Sequence, residues 1–477
     1  MDVNLRPAHD ARRDDVPVRL EVWVHATVDD KHIGVAAAGG QGRRTGRELA
    51  KLERCSNNAD MPYFQRAIEE KVRQLSAKFP AVLITGPRQA GKTSLLEHVT
   101  AQLFGDRAGS IAFDTPSEIS AFRRDPDLFF LNHPGILFLD EVQHVPDIFP
   151  YLKRELDRAR RTFRFFLSGS QHFELMKGVT ESLAGRVAVL DLWPLAVQEA
   201  RGRHTATTVD LLENPARLDD LLGREFRATD QDDVVPAMLA GGYPPVVLEH
   251  AGADWLEAYR RTYVQRDIRE LSQVADLGRF DRFLVLCAGR SGTVINKAEI
   301  ASGVGIDSKT VDHWMSLLET SYQIIALPAY FANTTKRLVK RPKWVFADSG
   351  LGLHLQAIRD AHGLLNAPHF GHLFESFVIM EIRKLFAHAG IPWNGSFWRT
   401  PQGVECDLVL PAAGRLVPIE IKHAASPAAN DLTALHAFLD LYKKTARHGI
   451  LISMHPRVER LSPRIYNLPL GLVLNGP

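Results

Sequence analysis

Between residues 61 and 200 the chain alternates two kinds of hydrophobic pattern. Short, nearly unbroken apolar runs lie at 81–85, 110–114, 136–140, 163–168 and 187–191. Segments of helical period separate them, the first being an amphipathic stretch over 63–79. A strand buried on both faces needs apolar side chains at every position, so unbroken runs between helices predict a parallel sheet with crossover helices. The expected class is therefore α/β.

Beyond residue 203 the pattern changes. Residues 204–276 read mainly as helices, including 255–271. Residues 277–345 read as small helices leading to a strand at 323–327. Residues 346–477 open with helix and continue as mixed strand and helix. Residues 1–60 are different again, with an Asp/Arg-rich opening, a Gly-Gly-Gln-Gly-Arg-Arg stretch at 39–44 and one strand-like run at 18–28. They predict either a disordered extension or translation from a start placed upstream of Met61.

Bulk composition narrows the class. A length of 477 residues suggests roughly three domains. Hydrophobic content of 45% and charged content of 24% are ordinary for a soluble protein. The 58 Lys and Arg against 56 Asp and Glu leave a net charge of +2, which excludes a chain-wide basic field. Any nucleic-acid contact must come from local patches. Cys55, Cys287 and Cys406 are isolated, as expected in a reducing compartment. No apolar run reaches membrane-spanning length and no signal peptide opens the chain. These features predict a cytoplasmic protein with no membrane partner.

The sharpest local signal is Gly86-Pro87-Arg88-Gln89-Ala90-Gly91-Lys92-Thr93, set between the strand at 81–85 and a helix beginning near Ser94. The glycines let the backbone wrap an anion, and backbone N–H groups at the helix start face it. This strand–loop–helix order predicts a phosphate cradle in which Lys92 reaches the terminal phosphates and the Thr93 hydroxyl meets Mg²⁺. The run 136–140 ends in Asp140-Glu141, 48 residues after Lys92. Asp140 is then the Mg²⁺-side carboxylate and Glu141 the base that activates a water. The intervening strand at 110–114 predicts a sheet with an extra strand between the two motifs. Leu167-Ser168-Gly169-Ser170 ends another run, and Ser170 or Ser168 either contacts the γ-phosphate or forms a simple turn. Arg186, just before the strand at 187–191, is either a cation for a neighbouring subunit's γ-phosphate or half of a surface ion pair.

These stretches resemble the bacterial and archaeal P-loop ATPases of the AAA+ class that carry a carboxy-terminal domain of unknown function. The resemblance rests on Gly86 to Thr93, on Leu139-Asp140-Glu141-Val142-Gln143, on Leu167-Ser168-Gly169-Ser170 and on Leu183-Ala184-Gly185-Arg186 followed by Trp193-Pro194-Leu195. It continues through Gly241-Gly242-Tyr243-Pro244, Tyr263 to Asp267, and Lys336 to Lys340 followed by Asp348-Ser349-Gly350-Leu351. It ends with Phe374-Glu375, Trp398-Arg399-Thr400, Glu405-Cys406-Asp407 and Glu420-Ile421-Lys422. It covers about 62–470. It implies ATP and Mg²⁺ as ligands, ATP hydrolysis, and an ATPase domain over 61–203, with 204–276 as a helical lid region.

In the middle of the chain, Asn296 to Ala301, Gly305-Ile306-Asp307 and Lys309 to Met315 read as helix, turn, helix, followed by a strand. This is a winged-helix pattern over 277–345. Its second helix either enters a DNA groove or has a structural or partner-binding role, as winged helices that pack as lids do. Lys336, Arg337, Lys340, Arg341 and Lys343 form a basic cluster suited to nucleic-acid phosphate, to a solvated hairpin face or to contact with the acidic carboxy-terminal domain.

Over 346–477, Asp407 lies on one expected strand, with Glu420 and Lys422 on the same face of the next. With Glu375 from the preceding helix they resemble the core of the PD-(D/E)xK nuclease fold. Two carboxylates can hold Mg²⁺ and the lysine can stabilise phosphate charge. The other reading is an ion-paired sheet face with Lys422 neutralising Glu420. The expected activity is thus an ATPase acting on DNA or RNA, with nuclease activity left open. The alternative is a regulatory switch that binds a protein partner and carries an inert nuclease-like domain. Arg186 adds the expectation of a homo-oligomer.

Overall fold

The structure, a computed structural model, describes residues 63–476 apart from 159–162, 171–178, 180, 204–205, 228, 263–275, 332–340 and 413. The expectations for 1–60, for the end of the 255–271 helix and for Lys336, Arg337 and Lys340 lie outside the described residues.

The first sheet contains β1 (Ala81–Thr85), β2 (Ala108–Ala112), β3 (Ile136–Asp140), β4 (Arg164–Gly169) and β5 (Val187–Asp191) in the order β2-β3-β4-β1-β5. Every pairing is parallel. Alternate strand residues serve two cores, as a period of two requires. Leu83, Leu137, Leu139, Phe165 and Leu167 pack on one face with Phe113, Phe122, Phe149 and Leu152. Val82, Ile84, Phe138 and Phe166 pack on the other with Ile68, Val72, Leu95, Leu96 and Val99. Both faces are covered, which explains the unbroken apolar runs. β4 lies between β1 and β3, so the sheet has the expected extra strand between the two motifs.

Two elements differ most from the sequence reading. The second strand occupies 108–112 rather than 110–114. Ala108 and Gly109 join it by backbone pairing with Ile136 and Leu137, which their small side chains do not advertise. Its far end is cut short because Pro116 opens the helix Pro116–Arg124. The amino-terminal helix runs over Glu69–Lys78 rather than 63–79. The Glu69 carboxylate accepts the Arg66 N–H at 2.8 Å and the Tyr63 hydroxyl at 2.7 Å, so the chain before it forms a turn.

The middle region carries the helices Leu277–Ala288, Lys297–Val304 and Ser308–Thr320. Asp307 caps the last by accepting the Lys309 and Thr310 N–H groups at 2.8 and 2.9 Å. A small antiparallel sheet, β6 (Thr293–Val294), β8 (Lys343–Phe346) and β7 (Ile324–Leu327), completes it. Phe280, Phe283 and Trp314 form its aromatic centre.

The carboxy-terminal region begins with the helix Phe370–Ala389. A mixed sheet follows, in the order β13-β14-β12-β11-β10-β9. Its strands are β9 (Ser396–Arg399), β10 (Glu405–Ala412), β11 (Arg415–Lys422), β12 (Gly449–Ser453), β13 (Glu459–Ser462) and β14 (Ile465–Pro469). Val209, Leu211, Val234 and Met238 pack into this region's core. Tyr243, Leu256 and Tyr259 instead join the middle core. The helical stretch after the first sheet is therefore shared between two cores.

Candidate functional site

The glycine loop is fixed by what crowds it. A Cβ on Gly86 would lie 2.1 Å from the Leu192 carbonyl oxygen, so only glycine fits, and its φ of +147° is a glycine conformation. Gly91, at φ +88°, turns the chain into the helix Lys92–Phe104. Pro87 and Ala90 are buried, Arg88 is half-buried, and Gln89 and Ser94 are exposed. Lys92 lies folded into the loop, its Nζ donating to the Pro87 and Gly86 carbonyls at 2.8 and 3.1 Å.

Asp140 ends β3 beside this loop, and its Oδ2 accepts the Thr93 hydroxyl at 2.8 Å. The Ser168 hydroxyl donates to Oδ1, which also accepts the Glu141 N–H at 3.1 Å. Burial raises the Asp140 pKa; the two hydroxyls oppose that rise, and the Glu141 charge adds to it. A divalent cation would relieve it. Thr93 and Asp140 supply hard oxygen donors within reach of each other, which suits Mg²⁺ held by few protein ligands.

Glu141 sits in the left-handed region at φ +52°, a strained conformation for this residue. The Gln143 side-chain amide donates to its Oε2, and the Ser170 hydroxyl lies 3.5 Å from the same oxygen. Ser168 thus supports Asp140 while Ser170 supports Glu141. Arg186 is at the other end of the sheet. Its carbonyl accepts the N–H of Ala81, the first residue of β1, whereas the glycine loop leaves the last. Its guanidinium pairs with Asp157 at 2.8 Å. Within one chain it does not meet the loop.

Sequence reasoning missed a buried support under the loop. Arg66 donates to the Ala90 carbonyl at 2.6 Å, to the Trp193 carbonyl at 2.9 Å and to Glu199 at 2.8 Å. Burial alone would raise the Glu199 pKa; the Arg66 and His388 charges outweigh it and hold it at about 2. His388 belongs to the helix Phe370–Ala389, so this pair also touches the carboxy-terminal region. No local motif marks either residue.

In the carboxy-terminal sheet, the pairing of Leu408 with Ile419 brings Asp407 beside Glu420. A register shift between Cys406 and Val409 re-aims this part of β10. Asp407 accepts the Ile421 N–H at 2.9 Å, and Lys422 donates to Glu420 Oε1 at 2.7 Å. Burial, then the Glu420 and Glu375 charges, push Asp407 well above its usual range. Burial pushes Glu420 up to about 7 against the pull of Lys422. Burial would lower the Lys422 pKa, but Glu420 and Asp407 raise it. Glu375 pairs with His372 at 3.3 Å and is felt electrostatically by all three. The sheet brings Asp407, Glu420 and Lys422 together, and among the described residues no group of three or more His, Cys, Asp and Glu side chains is placed to hold a metal ion. Lys343, from the basic cluster, is also here, buried and paired with Glu405.

A glycine loop over a parallel sheet, with a strand-end Asp-Glu pair one strand away, defines an AAA-type P-loop ATPase domain, and residues 78–201 match the AAA domain family. Residues 231–362 match the domain of unknown function DUF8612, and residues 370–473 the domain of unknown function DUF4143. Two uncharacterized proteins, from Mycobacterium tuberculosis and Mycobacterium bovis, are each 30% identical over 368 residues, covering 76% of this chain and 75% of theirs. The chain belongs to the family of these mycobacterial proteins. Among solved structures, it is similar to a Walker-type ATPase of Pyrococcus abyssi at 15% identity and a TM-score of 0.40, covering 63% of this chain and 97% of that one. The Thermotoga maritima RuvB Holliday junction branch migration motor matches at 17% identity and a TM-score of 0.25, covering 59% and 89%. No helix among the described residues is long and apolar enough to cross a membrane.

Proposed function

We propose that the protein hydrolyses ATP to ADP and phosphate with Mg²⁺ and couples the nucleotide state to movement of its middle and carboxy-terminal regions. The observation that carries this reading is the joined pair Thr93–Asp140 beside a strained Glu141 held by Gln143 and Ser170. The backbone from Gly86 to Thr93 cradles the phosphates, and Lys92 turns from the loop carbonyls to the β- and γ-phosphates. Bound at Thr93 and Asp140, Mg²⁺ supplies charge neutralisation on the phosphates. Glu141 takes a proton from the attacking water as the bond from the γ-phosphorus to the leaving oxygen breaks. Arg186 serves the site of a neighbouring copy.

The target of this motor is nucleic acid in the first reading. The helix pair Lys297–Val304 and Ser308–Thr320 with the sheet β6-β8-β7 supports a winged helix, and the convergence of Asp407, Glu420 and Lys422 supports a nuclease-like domain. The second reading is a switch that binds a protein partner and has an inert carboxy-terminal site. It is favoured by the pairing of cations inside the molecule. Lys297 pairs with Asp312 on the second helix, Lys422 with Glu420, and Lys343 with Glu405. ATP turnover measured with and without single- and double-stranded DNA and RNA tests both. Salt-sensitive stimulation supports the first; unchanged turnover with no binding removes it.

A further inference from the structure

The last residues of β1 and β5 lie side by side where the glycine loop begins, since Thr85 pairs with Asp191. Thr85 is fully buried, and its hydroxyl donates to Asp191 Oδ1 at 2.9 Å. Its carbonyl accepts the Leu192 N–H at 2.7 Å, and Leu192 is the residue that walls Gly86. Asp191 Oδ1 accepts a second hydroxyl, from Tyr322 of the middle region, also at 2.9 Å. Tyr322 is 5% exposed and lies two residues past the helix Ser308–Thr320, in the left-handed region at φ +61°. That backbone is strained for an aromatic residue. Its ring packs edge-on to Trp193 at 5.2 Å, and both belong to a small core with Ile325, Val345, Ala347 and Met380. Burial, then the Asp191 charge, push the Tyr322 pKa well above its usual range against the pull of the Thr85 hydroxyl, so the phenol stays a donor. Two hydroxyls from different parts of the fold thus meet on one carboxylate oxygen at the root of the loop.

We propose that Tyr322 is a positioning residue for nucleotide binding, through which the helix Ser308–Thr320 sets the start of the glycine loop. This deepens, and rests on, the reading that the loop binds ATP. A hydrogen bond to a charged acceptor is strong, and two on one oxygen fix the carboxylate more firmly than one. Asp191 in turn fixes the Thr85 side chain, and the backbone bond between Thr85 and Leu192 holds the wall against Gly86. A loop already held in its bound shape loses less freedom when phosphate enters. Without the Tyr322 bond the strand pairing remains, but the Asp191 carboxylate is free to turn. By reciprocity, a nucleotide in the loop acts on the end of the helix through the same link.

The test titrates methylanthraniloyl-ADP with Mg²⁺ into the full chain, as wild type, Tyr322→Phe, Thr85→Val and the double variant. Tyr322→Phe keeps the ring on Trp193 and removes only the hydroxyl. It should weaken binding about threefold to tenfold, the range for the net worth of one hydrogen bond. Both hydroxyls act through one oxygen, so Tyr322→Phe should cost nothing further in a Thr85→Val background, and its effect should return in a Thr85→Ser background. A merely structural tyrosine would not give that pattern. Equal affinity in wild type and Tyr322→Phe, or losses that multiply in the double variant, would overturn the role of Tyr322 and leave the nucleotide site standing. No binding in wild type would overturn the ATP reading and this proposal with it. Should Tyr322→Phe not fold, hydrogen exchange of residues 308–320 decides. Saturating nucleotide should alter it in wild type and leave it unchanged in Thr85→Val, and any other pattern overturns the proposal.

Discussion

At the glycine loop Lys92 bonds to the backbone carbonyls of Pro87 and Gly86, whereas Lys422 in the carboxy-terminal sheet bonds directly to the Glu420 carboxylate. The acids differ in the same sense. Asp140 is held by the neutral hydroxyls of Thr93 and Ser168, while Asp407 and Glu420 lie among charged lysines. Neutral donors are released cheaply when phosphate or metal arrives, so the first site is set to receive ligand. The carboxy-terminal carboxylates are instead paired with cations of the chain itself, Glu420 with Lys422 and Glu405 with Lys343. Similar residue types on strand ends thus make one set held by neutral donors and another paired charge to charge.

The largest effect should come from removing the lysines. Lys92→Ala should lower ATP turnover by about a hundredfold to a thousandfold, the range for losing a central electrostatic contact. Lys422→Ala should leave turnover within a factor of about two, because it lies outside the nucleotide site. Steady-state phosphate release measures both. Equal losses would mean that the two sites are not functionally distinct.

Exchanging one carboxylate at each site sharpens the contrast. Glu141→Gln should retain nucleotide, measured by fluorescent-analogue titration, yet turn over about a hundredfold more slowly. Glu420→Gln should change neither quantity. A Glu141→Gln protein with near-normal turnover would remove Glu141 as the base.

The supports beneath the sites give a smaller, thermodynamic effect. Glu199→Gln breaks a buried pair and should cost about 3 kcal/mol at neutral pH in urea unfolding. Its sign with pH follows from the direction of the shift. The folded value of about 2 lies below the ordinary 4.5, so the contribution is full above 4.5 and is lost as pH falls towards 2. Wild type should lose stability through that window more steeply than Glu199→Gln. Parallel acid limbs would show that Glu199 carries no such linkage.

The sequence made the nucleotide site readable because its parts are local. Gly86 to Thr93 is one continuous stretch, and Asp140-Glu141 ends one apolar run. The pairing of Lys422 with Glu420 was also readable, since the two share one strand face. Lys343, whose cluster offered contact with the carboxy-terminal domain as one reading, pairs there with Glu405. What escaped was assembled by tertiary pairing. Arg66 meets Glu199 across 133 residues, and neither stands in a motif. Ala108 and Gly109 joined β2 through backbone pairing, which side-chain hydrophobicity cannot report. The strained backbone of Glu141 likewise has no signature in the residue type.

Both sites borrow a cation if Arg186 serves a neighbouring copy, and this gives the smallest stability effect. Its own-chain pairing with Asp157 joins two partly exposed side chains. Arg186→Ala should therefore change stability by less than about 1 kcal/mol. The glycine loop begins at the opposite end of β1, roughly 13 Å away at the rise of a strand, so Arg186 cannot act on its own loop. The loss of turnover in Arg186→Ala should then appear only at protein concentrations where copies associate. Turnover per chain, followed across dilution alongside light scattering, reads this directly. An equal deficit in dissociated chains would mean that Arg186 acts through its own domain, and no deficit at any concentration would return it to a surface ion pair. In either case the nucleotide site would be complete within one chain. The contrast would then be between a self-sufficient loop and a carboxylate cluster in which Lys343 of the middle region pairs with Glu405.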